Sequence, residues 1–167
     1  MKKKKILFWI LAVVITLAAA IYQRQTGPTY PKEVDVQISG KKHTLELPRS
    51  QSGTDDFYLE INLPDHIRGK VFYRRYPTND KWRSSQLEKK DDGLVAKLPG
   101  QPAAGKLEYY IGVISGSQLI YIAKNNPIRM RFKGEVPKVV LIPHVLIMFL
   151  AMLFSTLAGL FALGKLT

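Results

Sequence analysis

Phe57-Tyr-Leu-Glu-Ile-Asn-Leu63 places an apolar side chain at every second position, with Tyr58, Glu60 and Asn62 between them. A period of two puts Phe57, Leu59, Ile61 and Leu63 on one face of an extended chain, so the segment predicts a half-buried strand. The pattern recurs on both sides: Val34, Val36, Ile38; Leu94, Ala96, Leu98; Leu107, Tyr109, Ile111, Val113; and Ile128, Met130, Phe132 alternating with Arg129, Arg131 and Lys133. Shorter candidates are His43 to Leu47, Lys70 to Tyr76, Trp82 to Glu88 and Gln118 to Ala123. Turn-forming residues separate them at Ser39-Gly40, Ser52-Gly53, Pro64-Asp65, Asn79-Asp80, Asp91-Asp92-Gly93, Pro99-Gly100 and Ser115-Gly116-Ser117. No amphipathic helix pattern interrupts this region. Residues 24–138 therefore predict an all-β sandwich of roughly seven to nine short strands.

Outward from that domain the character of the chain changes. Lys2 to Lys5 precede Ile6 to Tyr22, an uncharged apolar run, and Val139 to Gly164 is a second run without Asp, Glu, Lys or Arg. The second exceeds the roughly 20 residues that a bilayer core requires, so residues 139–164 predict a transmembrane helix, with its regular part beginning near Ile142 or Pro143. The first, residues 6–22, fits a short span or a signal peptide. Its basic start and Ala18-Ala19-Ala20 suit cleavage, whereas its length and the terminal placement of Trp9 and Tyr22 suit a retained anchor. Either reading exports the β-domain. The positive-inside rule keeps residues 1–5 and the tail 165–167 in the cytoplasm and places the β-domain on the outer side of a bacterial-type inner membrane. Arg129, Arg131, Lys133 and Lys138 before the second run argue for the opposite orientation, but the first helix inserts first and usually sets the topology.

Val71-Phe-Tyr-Arg-Arg75, Lys81-Trp82 and the stretch Gly93-Leu-Val-Ala-Lys-Leu-Pro-Gly100 to Gly105-Lys-Leu-Glu-Tyr-Tyr-Ile111 resemble bacterial immunoglobulin-like and fibronectin type III-like modules over roughly Val71 to Val113. The resemblance implies an Ig-like/fibronectin III-like sandwich, here flanked by two transmembrane helices. It brings no active site, since such modules serve as spacers, adhesins and accessory subunits as well as binders.

The inventory for chemistry is short. The chain has no cysteine, which excludes disulfides, thiolate metal sites and a cysteine nucleophile. Its three histidines are His43, His66 and His144, and no metalloprotease, nucleophile-elbow or nucleotide-loop motif is present. Asp55-Asp56 and Asp91-Asp92 read as solvated turn residues. His144, Met148 and Met152 fall at i, i+4 and i+8 on one helix face, weak candidates for haem or copper ligation; as core-type residues at a helix interface they need no metal. Neither a cofactor nor an enzymatic activity is expected.

Three surfaces are candidates for partners. Ala151, Ser155 and Gly159 recur every four residues and would let another helix approach closely, either the first span or another integral membrane protein. Arg129, Arg131 and Lys133 share one strand face that would suit anionic lipid, an acidic glycan or a protein partner. Tyr73, Arg74, Arg75, Tyr76 and Trp82 cluster in sequence and would suit a stacked sugar or a protein contact. The chain holds 25 basic against 13 acidic residues, but the exported location argues against nucleic acid. The resulting expectation is a non-enzymatic accessory or assembly module; the alternative is a redox or metal-handling membrane component using His144.

Overall fold

The computed structural model describes residues 2–64, 66–90 and 93–164. The chain divides into a β unit, Pro28–Glu135, and a helical unit formed by its two ends. The β unit runs β1 (Lys32–Ile38), β2 (Lys41–Leu47), β3 (Ser50–Ser52), β4 (Phe57–Ile61), β5 (Arg68–Arg75), β6 (Arg83–Gln86), β7 (Glu88–Lys90), β8 (Gly93–Leu98), β9 (Lys106–Ser115), β10 (Gln118–Ile122) and β11 (Ile128–Lys133).

These strands form a β1-β2 hairpin, a three-stranded sheet in the order β4-β8-β7, and a six-stranded sheet in the order β3-β11-β9-β5-β6 with β10 also on β9. All pairings are antiparallel except β3 with β11. The hairpin turns at Ser39-Gly40, where φ values of 51° and 75° at the two loop residues match the left-handed requirement of a tight primed turn. One core joins all three sheets: Ile38 and Leu47 from the hairpin, Leu59 and Leu98 from the small sheet, and Val71, Tyr109, Ile111, Met130 and Phe132 from the large one are buried together. Each such side chain withdrawn from water is worth about 1.5–3 kcal/mol. The apolar parity read from the sequence is thus the parity of the core.

Eleven strands among the described residues exceed the expected seven to nine. Ser50–Ser52 carries no apolar alternation and forms a strand only because β11 lies beside it. The single strand expected over Trp82 to Glu88 is two: the chain leaves β5 at Leu87, whose amide donates to the Gly69 carbonyl at 3.0 Å, and β7 then pairs with β8 in the other sheet. Tertiary pairing, not local pattern, makes that switch. Of the expected turns, Asp65, Asp91 and Asp92 lie outside the described residues.

The helical unit consists of α1 (Lys2–Thr26) and α2 (Lys138–Leu163). Both are longer or differently bounded than their apolar runs. α1 begins within the lysine cluster and continues to Thr26, stopping before Gly27-Pro28, because polarity does not end a helix but these breakers do. α2 begins directly after Pro137, whose carbonyl accepts from the Val140 and Leu141 amides at 2.9 and 3.0 Å. Pro143 is therefore inside the helix rather than at its start. It is tolerated because the bond it cannot donate would reach only into the first turn. The two helices run antiparallel: Phe8 meets Phe161 edge-on at 5.6 Å, Trp9 meets Phe154 at 6.3 Å, and Ala12, Thr16 and Leu157 are buried between them. Their other faces expose Ile, Leu, Val and Phe along the full length, and by length and composition both are candidates to cross a membrane.

Candidate functional site on the outward face of the large sheet

Because β9 turns Leu107, Tyr109, Ile111 and Val113 into the core, Lys106, Glu108, Tyr110, Gly112 and Ile114 face away from it. Cross-strand register then builds a ladder of outward side chains. Lys106 pairs with Arg131; Glu108 lies between Arg74 and Arg129; Tyr110 pairs with Phe72; Gly112 lies between Lys70 and Tyr121; and Ile114 lies between Arg68 and Leu119. One end of the face is cationic; at the other, exposed Ile114, Leu119 and Tyr121 stand beside the exposed cations Arg68 and Lys70, with Lys124 Nζ 3.8 Å over the Tyr121 ring.

Tyr110 is the centre of this face. Its ring stacks on Phe72 at 4.8 Å with the planes 11° apart, meets Trp82 edge-on at 4.8 Å and approaches Tyr121 at 6.0 Å. Gly112 makes the arrangement possible: a Cβ there would stand 3.1 Å from Phe72 and 3.2 Å from Tyr121. Burial, and then the proximity of Tyr121, hold the Tyr110 phenol above its usual range. Arg74 lies over the Trp82 ring at 4.5 Å and donates from Nε to Glu108 Oε1 at 2.5 Å, so a buried carboxylate is matched by a half-buried guanidinium. At the far end Ile114, Leu119 and Tyr121 are 49%, 56% and 41% exposed. Contiguous exposed apolar side chains of this kind characterise contact surfaces.

The sequence cluster Tyr73, Arg74, Arg75, Tyr76 and Trp82 divides here, since neighbours along a strand point to opposite faces. Arg74 and Trp82 join the outward face. Tyr73 packs against the core. Arg75 pairs with Asp80 at 2.7 Å, which holds the Asp80 carboxyl below and the Arg75 guanidinium above their ordinary values. These two line a cavity of about 320 Å³ together with Tyr73, Arg74, Lys81 and Arg83, so three of the five cluster residues meet at this cavity. Tyr76 instead lies among the cations of the other end, 4.4 Å beneath Arg129 and 6.0 Å from Lys106 Nζ. Arg129, Arg131 and Lys133 are all exposed on one face of β11. Glu108, Phe72, Tyr110 and Tyr121 were not singled out by the sequence; their signal was the parity opposite to the buried residues of β5, β9 and β10.

The remaining candidates lie elsewhere. In α2, Met148 and Met152 line a cavity of about 330 Å³ with Ala20, Gln23 and Arg24 of α1, whereas His144 is exposed and outside it. Ala151, Ser155 and Gly159 are exposed, and a Cβ on Gly159 would meet nothing within 4 Å. The first helix packs on the neighbouring Phe154, Leu157 and Phe161 face instead. His43 is half-buried in β2 and His66 exposed in a turn. Asp56 is more than a solvated turn residue: it accepts from the Gly100 amide at 2.8 Å and pairs with Lys97 at 2.7 Å, contacts that hold its carboxyl below the usual range.

No known protein family matches the chain, and no curated protein matches it. Among solved structures it is similar to the extracellular fragment, including the stalk region, of novel immune-type receptor 11 from Ictalurus punctatus. That likeness has 11% identity and a TM-score of 0.25 over 53% of this chain and 85% of the other.

Proposed function

We propose that the chain is a membrane-anchored, non-enzymatic accessory or assembly module. In this reading an Ig-like/fibronectin III-like sandwich stands on the outer side of a bacterial inner membrane, held by two spans, and is presented to another integral membrane protein. The pairing of β4 with β8 in one sheet, and of β5, β9 and the β10/β11 edge in the other, supports that fold assignment. The observation that carries the function is the outward face itself. The exposed Ile114–Leu119 pair and Tyr121 adjoin the Phe72, Tyr110 and Trp82 cluster, so apolar surface continues beyond the aromatic cluster into solvent.

The test is site-specific photocrosslinking from Leu119 in native membranes, followed by the same experiment with Ile114→Glu. The expected result is one discrete adduct with an integral membrane protein, lost in the variant. Adducts with lipid alone, or none, overturn the reading.

A further inference from the structure

At the cationic end of the large sheet, Arg49, Lys106, Arg129 and Arg131 line a cavity of about 290 Å³ with Tyr76 and Thr29. That volume is near the lower bound for a small-ligand site. No carboxylate lines it among the described residues, and none of the four cations has an ion pair there. The carboxylate nearest in register, Glu108, is engaged by Arg74.

The arrangement costs stability as it stands. Lys106 and Arg131 are direct cross-strand partners, and like charges so placed repel. The backbone holds them there nonetheless. The Arg131 amide donates to the Arg49 carbonyl at 3.0 Å, the Tyr76 amide donates to the Lys106 carbonyl at 2.9 Å, and β11 pairs with β9, so the three segments that carry the four cations are fixed around one space. Tyr76 forms one wall, with the Arg129 guanidinium stacked on its ring at 4.4 Å. A stacked guanidinium keeps its in-plane N–H groups available as donors. By contrast, the cavity beside Tyr73 contains Asp80, which pairs with Arg75 and neutralises part of its charge.

We infer that this cleft binds a phosphate-bearing anion and that an anionic lipid headgroup supplies it. Arginine forks match phosphate oxygens in pairs, and no carboxylate among the described lining residues competes with an anion for these exposed and half-buried cations. The lipid source rests on chain connectivity: Pro28-Thr29 comes directly after α1, and β11 leads into α2. Lys133, on the same strand face as Arg129 and Arg131, does not line the cleft and serves as a control. The lipid source also rests on the proposed reading of α1 and α2 as membrane spans, but the site does not depend on the docking proposed for the Ile114 and Leu119 end of the face.

The experiment uses the full chain in uncharged detergent. Binding of short-chain phosphatidylglycerol, short-chain phosphatidylcholine and inorganic phosphate is measured by calorimetry for the wild type, Arg131→Gln, Arg49→Gln and Lys133→Gln, with folding monitored by circular dichroism. Phosphatidylglycerol should bind, and either arginine variant that remains folded should weaken it roughly tenfold, whereas Lys133→Gln should not. Binding of phosphatidylglycerol without inorganic phosphate establishes the lipid headgroup as the source. Binding of both retains the phosphate site but overturns the lipid assignment. Absence of binding by either, equal binding of phosphatidylcholine, or affinity unchanged in both folded arginine variants overturns the site.

Discussion

Arg74 and Glu108 face each other directly across β5 and β9, with Arg74 Nε 2.5 Å from Glu108 Oε1 and the Glu108 carboxylate almost fully withdrawn from water. The guanidinium is at the same time stacked over Trp82, so one side chain neutralises a buried charge and closes one side of the aromatic cluster. Removing it leaves the carboxylate short of its partner. Arg74→Ala should therefore destabilise the β unit by about 2–3 kcal/mol, whereas Glu108→Gln, which keeps a hydrogen-bonding group of the same shape, should cost about 1 kcal/mol. Denaturant unfolding of the full chain in detergent measures both. An Arg74→Ala variant no less stable than the exposed-strand control Lys41→Ala would refute the assignment.

The pH dependence of stability should show two edges. Asp35, held down chiefly by Lys42 and then Thr44, Asp56, held down chiefly by Lys97 and then the Gly100 amide, and Asp80, held down chiefly by Arg75, all have lowered folded-state values. Their contribution is complete above the unfolded carboxylate value of about 3.9 and disappears as pH falls below it through the folded values. At the other edge, burial raises the Tyr109 phenol, and Asp56 raises Lys97. Those contributions are complete below the unfolded values of about 10 and are lost as pH rises beyond them. A thermal melting series should thus be flat between about pH 5 and 9. Tyr109→Phe removes the phenol and the 2.9 Å bond it donates to the Pro48 carbonyl. It should lower stability at neutral pH yet flatten the alkaline edge; an unchanged alkaline edge would count against burial as its cause.

Gly159 meets nothing within 4 Å of a Cβ, and Ala151 and Ser155 are exposed beside it. Gly159→Leu should therefore leave thermal unfolding of the full chain unchanged while disrupting helix association in the membrane. Copurification of the crosslinked partner provides the readout. A variant that melts normally and still copurifies removes this face from the interface.

Retention of the first span predicts that intact mass of membrane-extracted protein includes Lys2 to Lys5. The packing of Phe8 and Trp9 against Phe161 and Phe154 gives that segment a structural role that a cleaved leader would lack. A mature N-terminus beginning near Ile21 would show instead that α2 alone remains as the anchor.

The division between sequence and tertiary structure is physical. Alternation with period two is a local property, so residues such as Leu59, Leu98, Tyr109 and Phe132 could be assigned to the core without knowing what they pack against, and two uncharged runs could be assigned to apolar helices. Pairing is not local. Ser50–Ser52 has no pattern of its own and becomes a strand only beside β11, and the chain changes sheets after Leu87, the last residue bonded to β5, because Glu88–Lys90 pairs with β8. The candidate surfaces obey the same rule. Tyr73 to Tyr76 look like one cluster because they are adjacent in sequence, yet a pleated strand sends them to opposite faces. What the fold brings together instead comes from distant parts of the chain: Tyr110 with Phe72, Trp82 and Tyr121, and Arg49 with Lys106 and Arg131. Composition determined that the chain is basic and where it is apolar; only register determined that four cations share one cleft, because cross-strand neighbours are set by hydrogen bonding between segments whose separation in sequence carries no signal.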